Sequence, residues 1–276
     1  MASTSIASVH GRRVFDSRGR PTVEAAVLLE GGAIGRAIAP AGASRGSREA
    51  IDLRDGGSRF GGYDVQRALA SVGGPLARAL AGVDALDQAK VDALIVEADG
   101  TPNKSKLGGN ATVAVSLAVA QAAAAARGVP LWKHLALGRP VSLPLPEIQI
   151  FGGGAHAGRR IDIQDLMVMP LGATSFDEAL CVVAEVYRAA GELMQEAGTL
   201  AGVADEGGYW PVFASNEEAL AMLLRAIERA GAVPGTDVAI SLDIAASEFG
   251  RDGRYRLALD DRELDRDGMA EMLGRW

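Results

Sequence analysis

The sequence predicts an α+β unit followed by a β/α unit whose strands build a parallel sheet or barrel. Three observations carry this. Residues 22–40, TVEAAVLLEGGAIGRAIAP, read as two strands around Gly31 and Gly32, and helical patterns follow them without further strands; strands and then helices is the α+β order. From residue 159 onward apolar strand-like runs alternate with amphipathic helices, which is the β/α rhythm. Between the two sections, GRPVSLPLPE (138–147) holds three prolines, and these discourage any regular element. The expected domains are therefore 1–138 and 139–276.

In the first section, GASRGSRE (42–49) is a flexible stretch of glycine and serine. Helical patterns cover 64–80, broken near Gly73, Gly74 and Pro75, then 84–97, then an alanine-rich run to Arg127. The uncharged segment ATVAVSLAVAQAAAAA (111–126) is shorter than the ~20 strongly apolar residues of a membrane span. It also holds Thr112, Ser116 and Gln121. It is expected to be a helix buried inside a soluble protein, with no membrane span.

In the second section, RRIDIQDLMVMP (159–170) reads as a strand. Residues 175–198 read as a helix opened by a capping box, Ser175 to Glu178, and closed by Gly198. Residues 215–231 repeat the scheme with Ser215, Glu218 and Gly231. DVAISLDIA (237–245) has the apolar character of a buried parallel strand.

Composition narrows the function classes. A net charge of -7 over 276 residues argues against a nucleic-acid partner, which calls for a basic face. A lone cysteine, Cys181, permits no intrachain disulfide and fits a reducing compartment. Its place is expected to be the core of the 175–198 helix. The opening MASTSIASVHGRR has no apolar secretory core, so the expected location is cytoplasmic.

Four acids stand near the ends of strand-like runs: Asp165, Asp205, Glu206 and Asp243. The C-terminal ends of parallel β/α strands converge on one face. Acids meeting there repel unless a hard cation such as magnesium neutralises them. Otherwise some must hold a proton and serve as acids or bases. The competing reading is that each caps the helix after it. Asp205 and Glu206 are notable because no lysine or arginine occurs from residue 189 through 224. His156 follows three glycines in FGGGAHAG (151–158), where backbone can approach a ligand closely. No Gly-Lys-Ser/Thr closes that run, so it is not a Walker loop.

Seven segments together resemble enolase, the lyase of glycolysis. They are RRVFDSRGRPTVEAAV (12–27), AGASRGSREAIDLRDG (41–56), DGTPNKSKLGGNATVAVSLAVAQAAA (99–124), GGGAHAG, DIQDLMVMP, VADEGGYWP (203–211) and SLDIAASEF (241–249). Their order and spacing match the family from about residue 8 onward. The resemblance implies an α+β N-terminal domain followed by an incomplete β/α (TIM-type) barrel. It implies dehydration of 2-phosphoglycerate to phosphoenolpyruvate with two magnesium ions. Glu206 would be the general acid that assists departure of the C3 hydroxyl. Asp243 would ligate the tightly held magnesium, and Ser44, in the mobile loop, the second. His156, Gln164 and Asp165 would contact substrate, Asp165 in the place of a glutamate that works with the acid.

The sequence departs from the family pattern in several places. Gln149 and Gly152 stand where asparagines are usual, Arg45 where a small hydroxyl residue is usual, and Ala204 where glycine is usual. From Val141 to Trp276 there are 136 residues, about half of the ~250 of a full barrel. The resemblance therefore places the proton-abstracting lysine, two further metal ligands, an arginine and a second lysine beyond Trp276. Lys90, Lys104, Lys106 and Lys133 match none of those motifs. Expected partners are a C-terminal complement or a full-length enolase subunit. A chain acting alone is expected to be inactive, or to be a non-catalytic binding protein.

Overall fold

The computed structural model describes residues 2–276. Two compact units are present. One runs through Gly42 and from Arg48 to Val141; the other takes Ala43–Ser47 and Ser142–Trp276.

In the first unit, β1 (Ile6–Phe15), β2 (Pro21–Leu29) and β3 (Ile34–Ala39) form an antiparallel meander. β1 is irregular at its start, where its register with β2 shifts between Ile6 and Ser8; further along, Arg12 pairs across the ladder with Glu24 at 2.5 Å. Five helices follow: α1 (Gln66–Ser71), α2 (Ala77–Leu80), α3 (Gln88–Asp99), α4 (Gly109–Ala126) and α5 (Leu131–Ala136). Gly73, Gly74 and Pro75 do not end the first helical stretch. They form a single π turn, Val72–Leu76, between α1 and α2. That wider turn accommodates a proline that has no N–H for the ordinary ladder.

α4 packs on β2 and β3. Its buried alanines, including Ala114, Ala118 and Ala122, lie among Val23, Val27, Leu76, Leu80 and Val119. A Cβ at Gly35 of β3 would run into the backbone of Ala118 and Ala122. Small residues on both sides thus let helix and sheet meet at close range. The uncharged stretch is the core helix its composition suggests, with Ala120, Ala123 and Ala124 also buried.

The second unit is built on five strands: β4 (Ile148–Gly152), β5 (Asp165–Met169), β6 (Leu200–Val203), β7 (Tyr209–Pro211) and β8 (Ala239–Asp243), in spatial order β6-β7-β4-β5-β8. The helices α6 (Phe176–Ala197) and α7 (Asn216–Arg229) pack on each other. Their apolar faces bury Val186, Met194, Leu223 and Ile227 with Ile150 and Phe151 of β4. This is an incomplete β/α barrel, since a full one has eight strands. A small meander of β9 (Gly250–Arg251), β10 (Arg254–Leu257) and β11 (Arg262–Asp265), followed by α8 (Arg266–Arg275), completes the unit.

Ser175 Oγ accepts from Glu178 N–H at 3.1 Å, and Ser215 Oγ from Glu218 N–H at 3.0 Å. The glutamates reach one residue beyond the cap, to the N–H groups of Thr174 and Ala214. Gly198 and Gly231 follow the two helices at φ 69° and 83°, the left-handed turn glycine permits. Cys181, expected in the core, is instead on the exposed face of α6. The buried face there is set by Ala179, Val183 and Val186.

The sheet corrects the parallel reading. β5 runs antiparallel to both β4 and β8, and only β4 and β7 pair in parallel. β8 is half-exposed rather than buried. Residues 159–164 are not a strand; the strand begins at Asp165. RRIDIQ alternates because the loop drives Ile161 and Ile163 into the core, so a period of two arises without a ladder.

Candidate functional site

The reversed direction of β5 decides where the acids meet. Asp165 is the first residue of its strand, whereas Gly152 and Asp243 are the last of theirs. In register, Gly152 lies opposite Asp165 and Asp165 opposite Asp243. One edge of the sheet therefore collects a strand start and two strand ends. The expectation that Asp165 lies inside or near the end of a strand is corrected by this register.

His156 belongs to a single 3₁₀ turn, Gly154–His156, in the loop joining β4 to β5. That loop is tied back on itself by Gly153 N–H to Gln164 O and Gly154 N–H to Ile161 O. A Cβ at Gly153 would overlap Ile161, so the turn needs glycine there. His156 and Asp165 are both buried, and Nδ1 lies 2.7 Å from Asp165 Oδ1. A carboxylate only accepts, so Nδ1 carries the proton and donates.

Gln149 of β4 organises this pair. Its Oε1 accepts the Gly208 N–H at 2.7 Å, which orients the amide. Its Nε2 donates to the same Asp165 oxygen and lies 3.2 Å from Nδ1. Two donors thus converge on one carboxylate oxygen. The other imidazole nitrogen, Nε2, faces Glu206 Oε1 at 3.6 Å.

Glu206 sits in a one-turn 3₁₀ segment, Asp205–Gly207, that joins β6 to β7, and is itself non-helical there. Its φ is 72° and that of Gly207 is 99°, a left-handed conformation that costs a non-glycine residue on the order of 1–2 kcal/mol. Ala204 N–H donates to Gly208 O and Gly207 N–H to Ala204 O, which hold the turn, and Tyr187 Oη donates to Gly207 O at 2.8 Å. The Glu206 side chain is 59% exposed, in contrast to its buried neighbours. An accessible carboxyl beside a buried imidazole can exchange a proton with a bound molecule.

Gln164 Nε2 donates to Asp243 Oδ2 at 3.0 Å and approaches Asp165 Oδ2 at 3.5 Å. Asp243 Oδ1 accepts Ala245 N–H, which does not open a helix of regular α type. Five of the six predicted site residues thus come together: His156, Gln164, Asp165, Glu206 and Asp243. Ser44 lies in a bend within Ala43–Ser47 and makes no hydrogen bond to these five among the described residues.

Among the described residues no lysine or arginine pairs with Asp165, Glu206 or Asp243. His156, Asp165 and Glu206 each offer a ligand atom within 4.8 Å of the others. Beside Asp243, the buried Gln164 Oε1 has no hydrogen-bond partner among the described residues. Uncompensated carboxylates next to an unpartnered carbonyl oxygen are the donor set a hard cation takes.

Two departures from the family pattern prove to be contacts. A Cβ at Gly152 would overlap the methyl of Ala204, so the smaller residue on β4 makes room for the larger one before the acid turn. Likewise the long Gln149 spans to the short Asp165. Gln149 was noted in the sequence only as a departure; nothing in a linear pattern shows that it touches three site elements. Gly152→Ala is expected to destabilise the second unit by about 1–3 kcal/mol. Ala204→Gly in the same chain should restore most of the loss. A urea midpoint for G152A equal to wild type, or no rescue, would disprove the contact.

Comparison with known families gives two matches. The model of the enolase N-terminal domain matches residues 6–135. The model of the enolase C-terminal TIM barrel domain matches residues 140–273.

Proposed function

Because the chain belongs to the enolase family, a family of lyases, we propose that its site dehydrates 2-phosphoglycerate to phosphoenolpyruvate, as a cytoplasmic glycolytic enzyme would. The observation that carries this is the pairing of exposed Glu206 with buried His156, backed by Asp165. Loss of water from the substrate needs a proton removed at C2 and the C3 hydroxyl expelled. Protonated Glu206 gives its proton to that hydroxyl, the C3–O bond breaks, and water leaves as the electron pair from C2 forms the double bond. His156, oriented through Nδ1, presents Nε2 to the substrate. Gln164 holds Asp243 in place and offers its free carbonyl oxygen.

Asp243 would hold one magnesium and Ser44 a second, and bound magnesium supplies positive charge for the carboxylate on which electrons accumulate. The four lysines of these 276 residues, Lys90, Lys104, Lys106 and Lys133, all lie in the first unit. The reading therefore assigns the C2 base to barrel strands other than the five described, on the same or another polypeptide.

The test is complementation. The chain, mixed with a separately expressed C-terminal enolase half and magnesium, is expected to generate phosphoenolpyruvate absorbance. Absence of product with a folded, associated mixture would leave the non-catalytic binding reading in its place.

A further inference from the structure

A cavity of about 480 Å³ in the second unit is lined by none of the five clustered residues. Four arginines line it: Arg159, Arg251, Arg254 and Arg256. The small meander explains three of them. Arg254 and Arg256 are two positions apart on β10 and share a face. Arg251 of β9 is the register partner of Arg254. Like charges directly opposite one another destabilise a ladder, so this placement calls for a counter-charge.

The acids at the cavity do not supply enough. Glu248 is taken by Arg159 at 2.8 Å, and Glu263 by Arg254 at 2.9 Å. Asp162 is held by the N–H groups of Ala258 and Leu259 and by the Asn216 amide. Arg251 has no acid within ion-pair distance among the described residues. Among the described residues Arg256 has only Asp261, at 3.8 Å and with its carboxylate almost wholly exposed. Two guanidinium groups are therefore left to a ligand, in a protein whose net charge is -7. Arg159, on the cavity wall, also holds a left-handed backbone at φ 58°, a conformation a non-glycine residue adopts at a cost.

We propose that this cavity binds a small phosphate-bearing anion through Arg251 and Arg256. The planar guanidinium matches the oxygens of a phosphate in pairs, and the volume is that of a small-molecule site. The proposal does not rest on the enolase reading of the Glu206 cluster.

Calorimetric titration of the full chain with inorganic phosphate, at constant ionic strength set by chloride, tests it. One saturable site in the millimolar range or tighter is expected. R251A/R256A should weaken it at least about tenfold, the scale of one lost charged hydrogen bond. D243N and E206Q should leave it unchanged. Failure of saturation in wild type, or equal binding by R251A/R256A, overturns the site. Loss in D243N with retention in R251A/R256A would place the phosphate in the Glu206 cluster instead and also overturn it. Should the double variant melt early, R256A alone serves, since that side chain is 72% exposed.

Discussion

Glu206→Gln is expected to lower phosphoenolpyruvate formation by the complemented enzyme roughly 100- to 10,000-fold, the scale of a lost general acid. The substitution keeps shape and replaces the acid with an amide that cannot deliver the proton. The turn around Glu206 is held by backbone bonds of Ala204 and Gly208 and by Tyr187, none of which uses the Glu206 side chain. The side chain is mostly solvated, so stability should change by less than about 0.5 kcal/mol. Rates with saturating substrate, read beside a thermal melt, separate the two effects. Undiminished turnover by a folded E206Q would remove Glu206 from the mechanism.

Asp165→Ala is expected to act oppositely, with a large effect on folding. Asp165 accepts from His156 Nδ1 and Gln149 Nε2, and Gln164 Nε2 lies near it, all within the buried region. Truncation takes the carboxylate from the buried donors His156 Nδ1 and Gln149 Nε2, while Gln164 Nε2 keeps Asp243, and each orphan costs about 1–3 kcal/mol. A total of about 3–5 kcal/mol is expected, in the range for breaking a buried pair. Gln149→Leu made alone should also destabilise. The double variant should lose less than the sum, by about 0.5–3 kcal/mol of coupling. Urea midpoints at constant slope measure this, and strict additivity would mean that Gln149 and Asp165 do not act together.

The capped helices α6 and α7 were legible because their signals are local: a serine, a glutamate three residues on, and a glycine past the end. The hairpin of β2 and β3 was legible for the same reason. Strand direction was not. Alternation in RRIDIQDLMVMP is the same whichever way the chain runs, and it cannot distinguish a loop burying Ile161 and Ile163 from a ladder. The identities of the site residues were readable through the enolase resemblance, but their arrangement needed the register of β5. Gln149 and Gly152 show why. Each looks like a loss beside the family pattern, and each gains its meaning only from a neighbour, Asp165 or Ala204, that is distant in sequence.

The reversal of β5 also has a kinetic consequence. Gln149, His156, Gln164 and Asp165 all fall within 17 consecutive residues, 149 to 165, on one hairpin of β4 and β5. Contacts this close along the chain close with little loss of entropy and form early. Glu206 is joined to the hairpin across α6, and Asp243 across both α6 and α7, so their contacts close longer loops. The site is therefore expected to assemble in order: the histidine and its two supports first as a local unit, then Glu206, and Asp243 last. A protein stalled part-way through folding would carry a formed imidazole pocket and no proton donor.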